Sequence, residues 1–280
     1  MVWLMGLLLA GIIGLSLGLM GGGGSVLALP VLVYVMGVPP KSAIAMTLVI
    51  VGTVSLLGLI PHWRAGNVYL KTALVFGSAT MVGTFTGARI ATLPAVSETF
   101  QMLLFAGVML LAAGFMIYRS AQRTPPADTL ALYPPPICEY CWLWLLSEGI
   151  GVGILTGLVG VGGGFAIVPA LVLLAKVPMK QAIGTSLLII IANSISGFLG
   201  YLGHVELDWH LMVSFIFAAS LGTIPGAYLA RFVSTQQLQK GFGYFLLAVA
   251  TFVMVQNRHS LALAQTPGER MVEATVQPSD

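Results

Sequence analysis

Charge is what this sequence has least of. It has 12 Lys and Arg and 9 Asp and Glu in 280 residues, or 8% charged, against roughly 25% in a typical soluble domain. A water-facing surface cannot be assembled from so few ionic groups. The long uncharged stretches between them point to transmembrane helices. Alternation of polar and apolar residues is missing too. A membrane β-barrel needs it over about ten positions, whereas LLFAGVMLLAAGFMI, Leu103 to Ile117, is apolar on every side. The opening VWLMGLLLAGIIGLSLGL has no Lys or Arg before its apolar core. It therefore reads as a retained first helix rather than a signal peptide. The formal charge is +3 and the basic residues are scattered, so the basic stripe that nucleic-acid binding requires is absent.

Groups that carry chemistry are equally sparse. Cys138 and Cys141 form a single CEYC, which supplies two of the four ligands of a structural zinc site. Incidental residues near a helix start are the better reading. His62, His204, His210 and His259 are not grouped, and no H-E-x-x-H or G-x-S-x-G occurs. These absences argue against an enzyme, and neither a metal nor a cofactor is expected.

Glycine is what the sequence has in quantity, and it is concentrated in a repeated pattern. GGGGSVLALP (Gly21 to Pro30) is echoed by GVGGGFAIVP (Gly160 to Pro169). An offset of 139 residues carries Gly18-Leu19 onto Gly157-Leu158, Pro30 onto Pro169, and VPPKSAI (Val38 to Ile44) onto VPMKQAI (Val177 to Ile183). With no gap, it also carries Gly83-Thr84 onto Gly222-Thr223 and Gly87-Ala88 onto Gly226-Ala227. The chain is an internal duplication, with transmembrane repeats over 1–118 and 141–256. A polar, Pro-rich linker over 119–140 joins them, and 257–280 is expected to be a flexible tail.

Long apolar segments fall at 2–20, 43–60, 70–92 and 100–118, then at 142–159, 182–202, 209–232 and 240–256. Each is near the ~20 residues a crossing needs. The pieces after the glycines, Val26 to Met36 and 165–175, are half that length, about 16 Å. Four consecutive glycines would break a helix. Such backbone is tolerated at membrane depth only where protein buries it or it lines a polar cavity. A half-helix after a break resembles the discontinuous helices of secondary transporters, and its exposed N–H groups and positive dipole end suit an anion. The plainer alternative, close helix packing through small residues, is weaker because the break is doubled and a half-length segment follows each copy.

If each first segment and its half-helix form a hairpin, each half makes three net crossings and the halves are inverted. One side then holds Arg64, Lys71, Arg119, Arg123, Lys176, Lys180, Arg231 and Lys240. The other holds Lys41, Arg89, Arg258 and Arg270 with the acidic HVELDWH. Eight against four fits a cytoplasmic linker with both chain ends outside. Four crossings per half would divide the same residues evenly.

The doubled G-x-x-x-G-x-G-G-G-x-x-x-x-P, followed by a short apolar run and V-P-x-K-x-A, resembles the sulfite exporter TauE/SafE family. GTFTGARIA and GTIPGAYLA match that family as well, and the resemblance covers about 5 to 256. It implies an all-α, multi-pass permease of the cytoplasmic membrane. Such a permease would move sulfite, sulfonates or related sulfur-containing organic anions, commonly outward. The motif falls on Gly21, Gly23, Gly24 and Pro30, and on Gly160, Gly162, Gly163, Gly164 and Pro169, with Ser25 where the second copy has Gly164.

The expected partners are therefore a small anionic substrate, membrane lipid, and protons as a coupling ion. Candidate substrate-binding residues are Gly21, Gly23, Gly24 and Ser25, and Gly162, Gly163 and Gly164. Facing helices offer Thr47, Thr53 and Ser55, and Thr185, Ser186, Asn193, Ser194 and Ser196. Asn193 stands out, because an amide far from either helix end costs several kcal/mol if nothing satisfies it. Glu148 is the candidate coupling group, since carboxylates inside membrane helices are functional hypotheses by default. Its counterpart is Leu9, so that role would be one-sided. An anion channel or a non-transport membrane protein is the rival class.

Overall fold

The structure is a computed structural model that describes residues 2–93, 96–121, 141–160, 162–173, 175, 177–230 and 232–264. The linker over 122–140 with Cys138, the tail beyond 264, and Lys176 and Arg231 lie outside the described residues.

The described chain is helical. Helix α1 (Val2–Met20) ends in a 3-10 turn, Gly21–Gly24, and α2 (Ser25–Pro30) continues into a π turn, Val31–Val35. Then follow α3 (Pro40–Arg64), α4 (Leu70–Ala91) and α5 (Glu98–Ala121). The second half contains α6 (Cys141–Val159), α7 (Gly164–Leu173), α8 (Met179–Tyr201), α9 (Trp209–Leu229) and α10 (Thr235–Ala264). Among the described residues six stretches are long and apolar enough to cross a membrane: Trp3–Val35, Pro40–Arg64, Thr99–Tyr118, Met179–Tyr201, Trp209–Leu229 and Gln236–Gln256. Helix α4 has comparable length. It carries Lys71, Arg89 and five hydroxyl side chains (Thr72, Ser78, Thr80, Thr84 and Thr86), which keep it outside that set. Helix α10 runs to Ala264, beyond residue 256 where the apolar stretch ends.

Local signals set the helix starts. Pro40 occupies the first position of α3, where its missing N–H costs nothing, and α8 starts directly after Pro178. Asp208 caps α9 by accepting from the Leu211 amide at 3.0 Å, satisfying one of the donors a helix start leaves open.

The 139-residue offset reappears in three dimensions. It carries α1 onto α6 residue for residue, and the ladder after each half-helix repeats. Met36 N donates to Val31 O as Ala175 N does to Ala170 O, and Val38 N to Leu32 O as Val177 N does to Leu171 O. The repeats are interlocked rather than side by side. Helix α1 packs on α9 of the other half, and α6 packs reciprocally on α4. Small residues make both seams. A Cβ at Gly14 would overlap Ala219 O, and one at Gly18 would overlap Thr223 O. At the matching positions, Gly153 meets Thr80 O and Gly157 meets Thr84 O. Lipid offers helices no hydrophobic reason to associate, so such close backbone approach supplies the cohesion.

Two further contacts fix direction. Gly24 lies against Ile13 and Leu17, and Gly6 against Met36, so the chain folds back along α1 after the break. Gly52 meets Ser194, and Gly197 meets Leu48. The equivalent helices α3 and α8 therefore run antiparallel.

Candidate functional site

The two glycine breaks meet at the centre. Gly22 and Gly164 are buried, and a Cβ on either would overlap the other's Cα. Around this contact the breaks differ. In the first, only Gly21 is left-handed (φ 67°), and Gly24 is already right-handed (φ −64°) where α2 begins. In the second, Gly160, Gly162 and Gly163 are all left-handed, at 72°, 66° and 82°. Such φ values are costly for any residue with a Cβ.

Their surroundings differ as well. A Cβ on Gly23 would lie 3.0 Å from Met20 Cβ and 3.1 Å from the Phe242 ring, and one on Gly24 would overlap Ile13 O and Leu17. A Cβ on Gly163 would lie 2.8 Å from Thr156 Cγ2. Gly162 has room. The nearest atoms to its added Cβ are Ile190 Cγ2, Ser194 Oγ and Val51 Cγ1, all at 3.4 Å.

Buried polar groups lie on α3, α8 and α4, and Ser194 of α8 borders this opening. Asn193 is fully buried, and its Oδ1 lies 3.0 Å from Thr80 Oγ1. The same hydroxyl lies 2.9 Å from Gly77 O, and a hydroxyl has one proton to donate. Whichever way the amide is turned, one of its two polar atoms points elsewhere. Asn193 Nδ2, Ser194 Oγ, Ser55 Oγ and Thr47 Oγ1 are buried with no hydrogen-bond partner. Groups of this kind are costly unless something pairs with them.

The remaining hydroxyl candidates are already hydrogen-bonded, some within their own helix and some across to the other half. Ser25 Oγ donates to Gly22 O at 2.6 Å, bridging the first break. Ser186 Oγ donates to Ile183 O at 2.8 Å and sits 2.9 Å from where a Gly21 Cβ would be. Thr185 Oγ1 accepts from Tyr69 N at 3.0 Å. Thr53 donates to Val49 O, and Ser196 to Met81 O at 2.7 Å. Glu148 is half-buried on α6, beside Gly149, whose face meets Phe76 and Ala79 of α4. It stands apart from the breaks. Arg89 is exposed, with its guanidinium 5.5 Å from the Phe85 ring centre.

Two pairings across the repeat escaped the sequence. Ser55 and Ser194 are offset partners, so the repeat could have singled them out from the other hydroxyls. His62 reads as an interface residue, yet it is only 4% exposed. Its Nε2 donates to Gly18 O at 3.3 Å. Its counterpart Tyr201 donates through its hydroxyl to Gly157 O at 3.1 Å. The last carbonyls of a helix have no partner within it, so each side chain satisfies one just before a break. Neither a name nor a chemistry in common would have linked a histidine to a tyrosine.

Comparison with known proteins bears on the whole chain. The family model for "Sulfite exporter TauE/SafE" matches residues 6–253. A "Probable membrane transporter protein" of Xylella fastidiosa strain Temecula1 is 33% identical over 254 residues, covering 90% of this chain and 94% of the relative. "Probable membrane transporter protein YdhB" of Bacillus subtilis is 28% identical, covering 80% and 87%. One from Haemophilus influenzae is 27% identical, covering 87% and 95%. No solved structure matches the chain significantly.

Proposed function

We propose that this chain, which belongs to the sulfite exporter TauE/SafE family, works as a secondary transporter of a small anion. Sulfite, a sulfonate or a related sulfur-containing organic anion is the expected cargo, crossing the cytoplasmic membrane. The observation that carries the proposal is a buried, unpartnered donor beside Gly162, Ser194 Oγ, with Asn193 Nδ2 next to it in sequence on α8 and Ser55 and Thr47 on α3 also buried and unpartnered. An oxyanion supplies acceptors for such donors without bringing a second buried proton to place.

The repeats are taken as inverted across the membrane, with each half-helix re-entrant. The antiparallel α3 and α8 and the fold-back of α2 along α1 support this, as does the charge bias of the loops. Cysteine labelling is expected to place Met1 and Asp280 outside and the linker inside. Ends found inside, or on opposite sides, would end this reading.

Uptake and efflux in proteoliposomes test the function across sulfite, sulfonates, sulfate, thiosulfate and carboxylates, with and without a proton gradient. Saturable flux of a sulfur oxyanion is expected. Flux that never saturates and follows voltage would replace the transporter with a channel. Glu148 is proposed as the proton-coupling group because its charged form is expensive inside an apolar helix. Glu148→Gln is then expected to bind substrate while losing the response of flux to a pH gradient. Unchanged proton-driven flux removes Glu148 from the mechanism.

A further inference from the structure

Helix α5 straddles the second break. Gln101, in its first turn, donates through Nε2 to Leu158 O at 3.2 Å, near the end of α6. One turn further along α5, the Phe105 ring meets the Phe165 ring edge-on, with centres 5.6 Å apart. Phe165 lies in the first turn of α7. The two contacts hold the chain just before and just after Gly160–Gly164. This end is sealed, since Gln101 is 1% exposed and Phe105, Phe165 and Tyr201 are 0% exposed.

The Gln101 amide is short of one partner. Its Nε2 must face Leu158 O, because turning the amide would set two acceptor oxygens against each other. The neighbouring Tyr201 hydroxyl has one proton, which goes to Gly157 O. Gln101 Oε1 is therefore buried without a hydrogen-bond partner, a cost that contact with water would remove. A closed contact that carries such a cost is one that can open.

The first break is held differently. The offset puts Lys240 and Tyr244 of α10 in the places of Gln101 and Phe105, and both are exposed. Helix α10 meets that break through the Phe242 ring instead. The carbonyl anchor, by contrast, is present at both breaks, as His62 on Gly18 O and Tyr201 on Gly157 O.

The two ends of the molecule differ accordingly. A cavity of about 230 Å³ lies beside the first break, lined in part by His62, Lys180 and Ile183. A Cβ on Gly21 would lie 3.0 Å from Ile183 O, so the cavity reaches that break. Lys180 and Tyr201 stand at opposite ends of α8, about 30 Å apart at 1.5 Å per residue. Tyr201 shares its end with Gln101, and α5 runs from there toward the linker. The linker end is hollow and the far end is plugged.

We propose that Gln101 is the clamp that shuts the far end of the transport path, so that this structure is the state open toward the linker. Tyr201 does not share the role, because its counterpart His62 keeps the same bond beside the open cavity. The proposal rests on the secondary-transporter reading, which requires the two ends to open in turn.

The test uses full-length protein in membrane vesicles, with Cys138 and Cys141 replaced by serine and Ser194→Cys as the reporter beside the second break. A membrane-impermeant maleimide is applied to one face at a time. Gln101→Leu keeps the volume and loses the donor. From the face opposite the linker it is expected to label about fivefold faster than the parent, the factor that one lost hydrogen bond supplies. Gln101→Asn, one methylene short of the carbonyl, should do the same and covers the case in which the leucine variant fails to fold. Tyr201→Phe should label within about twofold of the parent. Unchanged labelling in both Gln101 variants overturns the clamp and leaves the transporter reading standing. An equal rise in Tyr201→Phe means loosened packing and also overturns the clamp. A parent labelled equally fast from both faces is a channel, and the transporter reading then fails with the clamp.

Discussion

The two glycine breaks descend from one pattern and have diverged in conformation and surroundings. The first is wound, with one left-handed residue, its glycines packed against Phe242, Met20, Ile13 and Leu17, and the Ser25 hydroxyl closing the turn. The second is unwound, with three left-handed residues and an open side toward Ser194. A repeat that must support two conformational states has no need for two equal sites. One break can serve as a packed pivot while the other meets the cargo. The difference traces to a few positions. Ser25 can bond back to its own turn, whereas Gly164 has no side chain to do so.

The largest effect is expected where the breaks touch. Gly164→Val or Gly22→Val would drive a side chain into backbone that cannot swing aside. Overpacking typically costs about 1–3 kcal/mol even where side chains can yield. Neither variant should give monodisperse protein after extraction. Well-behaved protein with wild-type thermal stability would show that the breaks do not meet.

The next comparison separates cargo contact from packing. Gly162→Ala has room for its methyl and carries a left-handed strain of about 1–2 kcal/mol. It should insert and fold but bind sulfite about tenfold more weakly, equivalent to about 1.4 kcal/mol. Gly23→Ala should hold affinity within about twofold, because the atoms nearest its methyl belong to the apolar Met20 and Phe242 side chains. Calorimetry on both purified variants decides the matter. Equal losses would make the breaks equivalent, and no loss at Gly162 would move the site elsewhere.

The smallest effect concerns the carbonyl anchors. Tyr201→Phe leaves Gly157 O without its partner, at a cost of about 1–3 kcal/mol. It should lower the thermal midpoint while leaving KM unchanged from either face. His62→Phe removes the partner of Gly18 O and should lose comparable stability. A variant that melts at the wild-type temperature would show that its side chain does not anchor the carbonyl before that break.

Much of the fold was legible because membrane helices announce themselves. A bilayer forces long uncharged runs, and the offset of 139 residues aligned elements that the structure then builds with matching bounds. The short length of Val26–Met36 foretold a partial helix, and Gly24 against Leu17 accounts for where it goes. The site was legible only in outline. Asn193 drew attention through the cost of a buried amide, but Thr80, its partner, lies 113 positions away. Ser194 looked like any other hydroxyl until Gly52 and Gly162 were placed around it.

The sequence by itself determined that this is a duplicated, multi-pass helical membrane protein with a glycine break in each half, because composition and periodicity are local properties that the bilayer reads directly. Only the tertiary structure decided that the halves interlock through α1 on α9 and α6 on α4. It also decided that the breaks meet at Gly22 and Gly164, and that the second break is the open one. Those outcomes depend on which backbone approaches which, and close approach between residues far apart in the chain leaves no mark on either segment alone.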